Sequence, residues 1–195
     1  MNTQVRWVER GFVIGFCGAA QVGKTTTAQA VRERIHGQSV ILPFAAPLKQ
    51  LARDYFGWDG TKDARGRQLL QMLGTDVGRW WDENFWVKKW AHEADGLCSR
   101  GTSILVDDVR FQNEVDAIHS LGGFVVHLSH PARGLSGQTG SDLARHASEC
   151  QTLENIDYRL QLGNLSPSSA AVDIENAIGA WAAWSVKRQP GRTAV

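Results

Sequence analysis

The chain has 195 residues, 21 Lys plus Arg against 20 Asp plus Glu, and a net charge of +1. That length supports one substantial core, and the near balance of charge argues against a general nucleic-acid binder or an anionic-membrane binder, while leaving room for a local basic pocket. Cys17, Cys98 and Cys150 are far apart, odd in number and lack CxxC spacing, which points to a reducing compartment with neither disulfide nor zinc framework. The opening residues carry no signal-peptide pattern and no apolar run approaches a membrane span, so the expectation is a soluble, cytoplasmic protein.

Residues 12–26 read FVIGFCGAAQVGKTT. An apolar strand runs into Gly18, four residues, then Gly23, Lys24 and Thr25, which fits G-x-x-x-x-G-K-[ST]. Glycines let successive backbone N–H groups turn inward around a phosphate, and the helix that follows aims its positive end at the same anion. Gly18, Gln21, Val22, Gly23, Lys24, Thr25 and Thr26 are therefore candidate ATP-binding residues. Lys24 is expected at the β- and γ-phosphates, and the Thr25 hydroxyl at Mg²⁺.

The helix is expected over 25–36, with Ala28, Val31 and Ile35 inward and Gly37 as its end. SVILP at 39–43 predicts a second buried strand, so strand, helix and strand form a βαβ unit and the sheet is expected to be parallel. Pro47 suits a first helical turn, with Leu48, Leu51 and Tyr55 on one face. Residues 57–66 read as a connection. Residues 67–77 read as helical with Leu69, Leu73 and Val77 on one side, broken at Gly74. Asp82 is the expected N-cap of a helix reaching Ala94, with Trp86 and Trp90 four apart. About sixty mostly helical residues thus separate the second strand from the third. A parallel crossover needs about a dozen, so an inserted helical lobe is expected beside the phosphate loop.

TSILVD at 102–107 is the third strand. A helix over 111–121 follows, then FVVHL at 124–128. Residues 130–146 are rich in Gly and Ser and read as a lid or a long surface loop. YRLQL at 158–162 is the fifth strand. Ala171, Ile174, Ile178 and Trp181 mark a final amphipathic helix. The expectation is one three-layer α/β phosphate-loop domain with a parallel five-stranded sheet. Its core spans 11–43, 102–129 and 147–186, with a lobe over about 44–100, a lid over about 130–146 and a tail at 187–195.

The third strand ends in Asp107 and Asp108, which point to opposite faces, so one of them is expected to serve the metal. Arg67, Arg79, Arg110, Arg133 and Arg145 form a second constellation. Moving a phosphoryl group between two polyanions requires holding both against their repulsion, which guanidinium forks do well. Trp80, Trp81, Phe85, Trp86 and Trp90 crowd one segment. They read first as the core of the lobe and second as a stacking platform for a base. His127 and His130 lack partner ligands and read as structural.

Several segments resemble the deoxynucleoside monophosphate kinases of tailed bacteriophages, within the phosphate-loop nucleotide kinases. They are FAAPLK at 44–49, RQLLQMLGTDVGR at 67–79 followed by FWV, DVRFQNE at 108–114, and HASE at 146–149. The resemblance narrows the expected arrangement to the phosphate-loop nucleotide kinase fold, and implies Mg²⁺-dependent transfer from ATP to a deoxynucleoside 5′-monophosphate for DNA precursor synthesis. It implies Asp108 rather than Asp107 as the working carboxylate, with Lys24 and Arg110 also catalytic and Thr25 with Asp108 at the metal, through water or directly. Lys49, Arg67, Gln71, Asp76, Arg79, Trp86, Arg110, Asn113 and Glu114 would bind the acceptor, although Glu114 could equally cap its helix. Arg133 and Arg145 would serve ATP from the lid. Where the family pattern leads one to expect an asparagine at the end of the fifth strand, this chain has Gln161. Partners are expected to be small-molecule nucleotides, with neither nucleic acid nor membrane, and the resemblance hints at a homodimer. Alternatives are a kinase for a nucleoside or coenzyme precursor, and a nucleotide-dependent switch ATPase.

Overall fold

Five parallel strands form one sheet in the order β2-β3-β1-β4-β5, as the βαβ pattern predicted. The structure is a computed structural model describing residues 11–61, 63–131 and 153–188, with side chains of the last helix described to residue 183. The strands are β1 (Val13–Cys17), β2 (Ser39–Ile41), β3 (Ser103–Val106), β4 (Phe124–Ser129) and β5 (Tyr158–Gln161). The lid expected at 130–146 and the tail lie almost wholly outside the described residues, as do Arg133, Arg145, Cys150 and the HASE segment.

The sheet is covered on both faces, which is why β1, β3 and most of β4 read as continuous apolar runs. Alternation along β1 assigns the faces. Ile14 and Phe16 join Ala28 and Val31 of helix α1 (Lys24–Arg32) and Ala171, Ile174 and Ile178 of the final helix, α6 (Pro167–Arg188). Val13 and Cys17 turn the other way, toward Val87, Trp90 and Ala94 of α4 (Phe85–Ser99) and Val115 and Ile118 of α5 (Gln112–Ser120). Trp90 is fully buried, and its indole N–H donates to the Leu42 carbonyl at 2.9 Å, so the deepest aromatic carries no unpaired polar atom.

Between β2 and β3 lie α2 (Ala46–Phe56), α3 (Ala64–Gln71), a π-helical stretch (Met72–Arg79) and α4. Ala52, Trp58 and Leu73 form a small separate core there, joined by Leu48, Leu51, Leu69 and Leu70. This region differs from the sequence expectation in four ways. Gly74 does not break the helix; the chain widens into π geometry instead. There the Trp86 indole N–H reaches the Gly74 carbonyl at 3.0 Å, and a Cβ on Gly78 would stand 2.4 Å from Trp86 Nε1. The missing side chain of Gly78 thus lets a tryptophan key into the helix, and the wide turn accommodates it. Tyr55 and Val77, expected inward, are 82% and 53% exposed. Trp80 and Trp81 are 80% and 76% exposed, so only Trp86 and Trp90 of the tryptophan cluster are buried. Asp82 lies three residues ahead of α4 rather than at its cap, accepting from the Asn84 N–H at 2.9 Å and from Lys88 Nζ at 2.6 Å.

Helix α1 is also shorter than expected. Beyond Arg32 the Arg34 and Ile35 N–H groups bond three residues back rather than four, the tightened last turn common at helix ends. The order of the sheet puts β1 where connections diverge to either side, and ligands of such sheets bind beyond the carboxyl ends of the strands at that point. The loop after β1 occupies that position.

Candidate active site

Gly18 opens the loop with φ 129° and Gly23 closes it with φ 111°. A Cβ on Gly18 would stand 2.2 Å from the Leu128 carbonyl oxygen, so β4 presses on the loop and only glycine fits. Gln21 also takes a left-handed conformation, at φ 60°. Val22 is buried while Gln21, Thr25 and Thr26 are exposed. The loop is therefore pinned by one apolar side chain, with its N–H groups and hydroxyls left outward. Helix α1 starts at Lys24 with Gly23 as its cap and no side-chain cap, leaving the positive helix end open to an anion. Lys24 Nζ donates to the carbonyls of Gly18 and Ala19, both at 2.8 Å. Burial and then the nearby Arg110 charge hold the Lys24 ammonium below its ordinary pKa, against opposing pulls from Cys17, Asp107 and Asp108.

The Thr25 hydroxyl donates to Asp107 Oδ2 at 2.6 Å. Asp108 points away, and its two oxygens accept the Phe44 and Ala45 N–H groups at 2.8 and 3.0 Å. The two carboxylates do diverge as strand alternation requires, but the one beside the Thr25 hydroxyl is Asp107, whereas the sequence reading favoured Asp108. Asp108 instead fixes the turn entering α2; burial, the largest influence, raises its pKa against the two N–H bonds. A hydroxyl and a carboxylate side by side are hard oxygen donors suited to Mg²⁺, so the residues present fit the metal that the loop motif implies.

Other expected acceptor residues are spread over α2, α3, the π-helical stretch and α4. Lys49, on α2, is near enough to Asp108 to lower its pKa. Arg67, Gln71 and Asp76 are exposed on α3 and the π-helical stretch. Trp86 is 6% exposed and bonded to Gly74, so it serves the lobe's packing rather than presenting a face. Together with Leu51, Leu73, Val77, Trp81 and Phe85 it lines an apolar pocket of about 150 Å³, whose wall also includes Gly78, the residue before Arg79.

Arg79 and Glu114 are brought together. Arg79 NH2 lies 2.7 Å from Glu114 Oε1, and the guanidinium sits 3.7 Å from the Phe111 ring centroid. Glu114 Oε2 accepts the Arg110 N–H at 2.7 Å and the Phe111 N–H at 3.1 Å, so it does cap α5. Asn113 Nδ2 donates to the Glu83 carbonyl at 3.2 Å and to Asn84 Oδ1 at 2.9 Å. Arg110 is exposed at the mouth of the crevice.

Arg159, absent from the sequence reading, also reaches this region, beside His127, which the sequence led one to expect as structural. The register pairs Cys17 with His127 and His127 with Arg159, so the three side chains share one face of the sheet next to the phosphate loop. Burial, then the charges of Arg159 and Lys24, depress the His127 pKa. Only the pairing of β4 with β5 exposes this row; along the chain the two residues are 32 apart. Leu162 packs on the opposite face, its Cδ1 at 3.4 Å from where a Gly23 Cβ would be.

The sheet, the glycine loop and the Lys24–Thr25–Asp107 grouping define an α/β phosphate-loop kinase fold. Solved structures agree: the Mycobacterium tuberculosis APS kinase CysC, in a complex with AMPPNP and APS, superposes with TM-score 0.53 at 17% identity, covering 88% of this chain and 99% of that one. The Deinococcus radiodurans tunicamycin resistance protein gives 0.51 at 15%, covering 87% and 96%. At such identities the likeness is one of fold.

The sequence model of the deoxynucleotide monophosphate kinase family matches residues 58–142, from the lobe through β4. A "Putative deoxynucleotide monophosphate kinase" of Acanthamoeba polyphaga mimivirus is 27% identical over 179 residues, 76% of this chain and 86% of its own length. The protein ORF77 of Ictalurid herpesvirus 1 (strain Auburn) is 34% identical over 142 residues; the match spans 72% of this chain but only 59% of that protein. These matches agree with the family resemblance: the chain is similar to phosphate-loop kinases of the deoxynucleotide monophosphate kinase type. The named relatives are viral, and neither is from a bacteriophage. Among the described residues no helix is long and apolar enough to cross a membrane.

Proposed function

We propose that the protein transfers the γ-phosphoryl group of ATP to deoxynucleoside 5′-monophosphates, forming diphosphates for DNA precursor synthesis. The observation that carries this reading is the joining of the phosphate loop to the end of β3. The Thr25 hydroxyl donates to Asp107 Oδ2 at 2.6 Å, and Arg110 follows those carboxylates while Glu114 ties Arg79 of the lobe to the same strand end. Cations from the loop, the lobe and the strand end can together hold two polyanions against their repulsion.

In this reading the loop N–H groups and Lys24 hold the donor β- and γ-phosphates. Thr25 and Asp107 hold Mg²⁺, which when bound neutralises charge developing on the transferred group. Arg110, Arg67 and Lys49 hold the acceptor phosphate in line. An acceptor phosphate oxygen attacks the γ-phosphorus, the bond to the β,γ-bridging oxygen breaks, and ADP departs with that electron pair. Arg159 adds positive charge beside the loop. The apolar pocket of the lobe suits the face of a nucleobase, with exposed Trp81 as its stacking surface. Its scarcity of hydrogen-bonding side chains favours tolerance among bases.

A coupled ADP-release assay with ATP and Mg²⁺ tests the reading against each deoxy- and ribonucleoside monophosphate and a no-acceptor control. Stimulation by one or more deoxynucleoside monophosphates supports it. ADP release indifferent to every monophosphate contradicts it and favours a switch ATPase or another acceptor.

A further inference from the structure

Glu114 is 3% exposed, yet it makes three polar contacts that join separate parts of the site. Oε1 meets Arg79 of the lobe at 2.7 Å, while Oε2 takes the N–H groups of Arg110 and Phe111 at the strand end. Arg79 is only 15% exposed in its side chain, with its guanidinium carbon 3.7 Å from the Phe111 ring centroid. Its guanidinium is therefore held in position from two sides. Of its five N–H groups, one serves Glu114 and one makes a long 3.4 Å contact to the Glu83 carbonyl. Among the described residues the others carry no hydrogen bond, so an edge of the fork is left for a further anion.

A helix cap alone needs only one oxygen and no arginine, and a buried ion pair is seldom the most stable filling for such a space. We propose that Glu114 is a positioning residue: it orients the Arg79 fork and the Arg110 backbone together, so that lobe and strand end present a single preset cradle to the acceptor phosphate. This rests on the monophosphate-kinase reading above. On closure of the lobe, an arginine already oriented loses less side-chain freedom than a free one.

Burial supports a pH signature, because it pushes the Glu114 carboxyl up to about 7. The charged groups facing it are Asp108 at the end of β3, which pushes in the same direction, and Arg79 on the lobe, which opposes it, as do the Arg110 and Phe111 N–H groups. Protonation would remove the charge that holds Arg79.

The test is steady-state kinetics with ATP and one deoxynucleoside monophosphate in wild type, Glu114→Gln, Glu114→Asp and Arg79→Ala. Circular dichroism and denaturant unfolding check that each variant is folded. The expected result is an acceptor KM raised about tenfold or more in both Glu114 variants, with the ATP KM within about twofold. Asp keeps the charge and the cap but falls one methylene short of Arg79, so it carries the test if Gln impairs folding. Wild type needs no folding control: its acceptor KM should improve as pH rises through about 7, a component absent from Glu114→Gln. The inference is overturned if folded Glu114 variants keep the wild-type acceptor KM while Arg79→Ala raises it, or if the wild-type acceptor KM is flat across that range. No monophosphate-dependent turnover in wild type would instead overturn the reading on which it rests.

Discussion

Thr25 and Asp107 are joined by a 2.6 Å hydrogen bond between a phosphate-loop hydroxyl and a strand-end carboxylate 82 residues apart. Asp108, the next residue, turns both oxygens to the backbone of Phe44 and Ala45. Neighbouring aspartates therefore have separable tasks. Asp107→Asn should lower kcat about 100-fold or more with an unchanged unfolding midpoint, since it removes the carboxylate proposed to hold Mg²⁺ with Thr25. Asp108→Asn should cost about 1–3 kcal/mol of stability, because an amide cannot accept both N–H bonds. Urea unfolding beside kinetics separates them, and the opposite pattern would return the metal role to Asp108.

Lys24 folds over its own loop and contacts two carbonyls there. Lys24→Met should abolish turnover while far-ultraviolet circular dichroism stays that of wild type. Near-normal activity would rule out the loop as the donor site.

Arg159 stands beside the loop with no ion-pair partner among the described residues. Its replacement by Ala should weaken nucleotide binding about tenfold without loss of stability, as expected for one charge-assisted contact to a polyanion. Titration calorimetry with ATP and with a monophosphate, run separately, tells which nucleotide it serves. Unchanged binding of both would make it a surface residue.

Gly78 sits against the Trp86 indole, where a Cβ would come within 2.4 Å of Nε1. Gly78→Ala should destabilise the fold by about 1–3 kcal/mol through overpacking of the π-helical stretch. Thermal unfolding reads this directly, and a neutral or stabilising effect would show that the tryptophan can shift at little cost.

His119 Nε2 is 2.8 Å from Asp157 Oδ2, an oxygen that also accepts the Val125 N–H. This hydrogen bond raises the His119 pKa against the opposing effect of burial, with the charges of Asp157 and Asp116 helping. A raised histidine pKa gives stability that is full below its unfolded value of about 6.5 and lost as pH rises through the higher folded value. Unfolding free energy should thus fall by up to about 1 kcal/mol above neutrality, the partial exposure of the pair limiting it. In His119→Gln that slope should vanish.

How much of this was legible in the chain depended on how local the determinants were. The phosphate loop, the parallel sheet and the inward face of α6 follow from glycine spacing and apolar periodicity within a few residues. The lobe resisted because its geometry rests on a non-local fit: Gly74 reads as a breaker until Trp86, twelve residues on, is seen bonding to its carbonyl. Trp80 and Trp81 read as core for want of any signal that the neighbouring helix turns them outward. The Asp107–Asp108 pair was legible as a pair whose members diverge. Which of them meets Thr25 depends on where β3 stops relative to β1, and only the register gives that. Arg159 carried no signal in the chain, and its pairing with His127 likewise comes only from the register.

The most direct test of the central claim is to follow the phosphorus itself. Phosphorus-31 nuclear magnetic resonance of a reaction containing the protein, ATP, Mg²⁺ and an equimolar mixture of deoxynucleoside monophosphates identifies the product carrying the transferred group. The account predicts deoxynucleoside diphosphate appearing in step with ADP, with little inorganic phosphate. Inorganic phosphate as the main product, with the monophosphates unchanged, would contradict it.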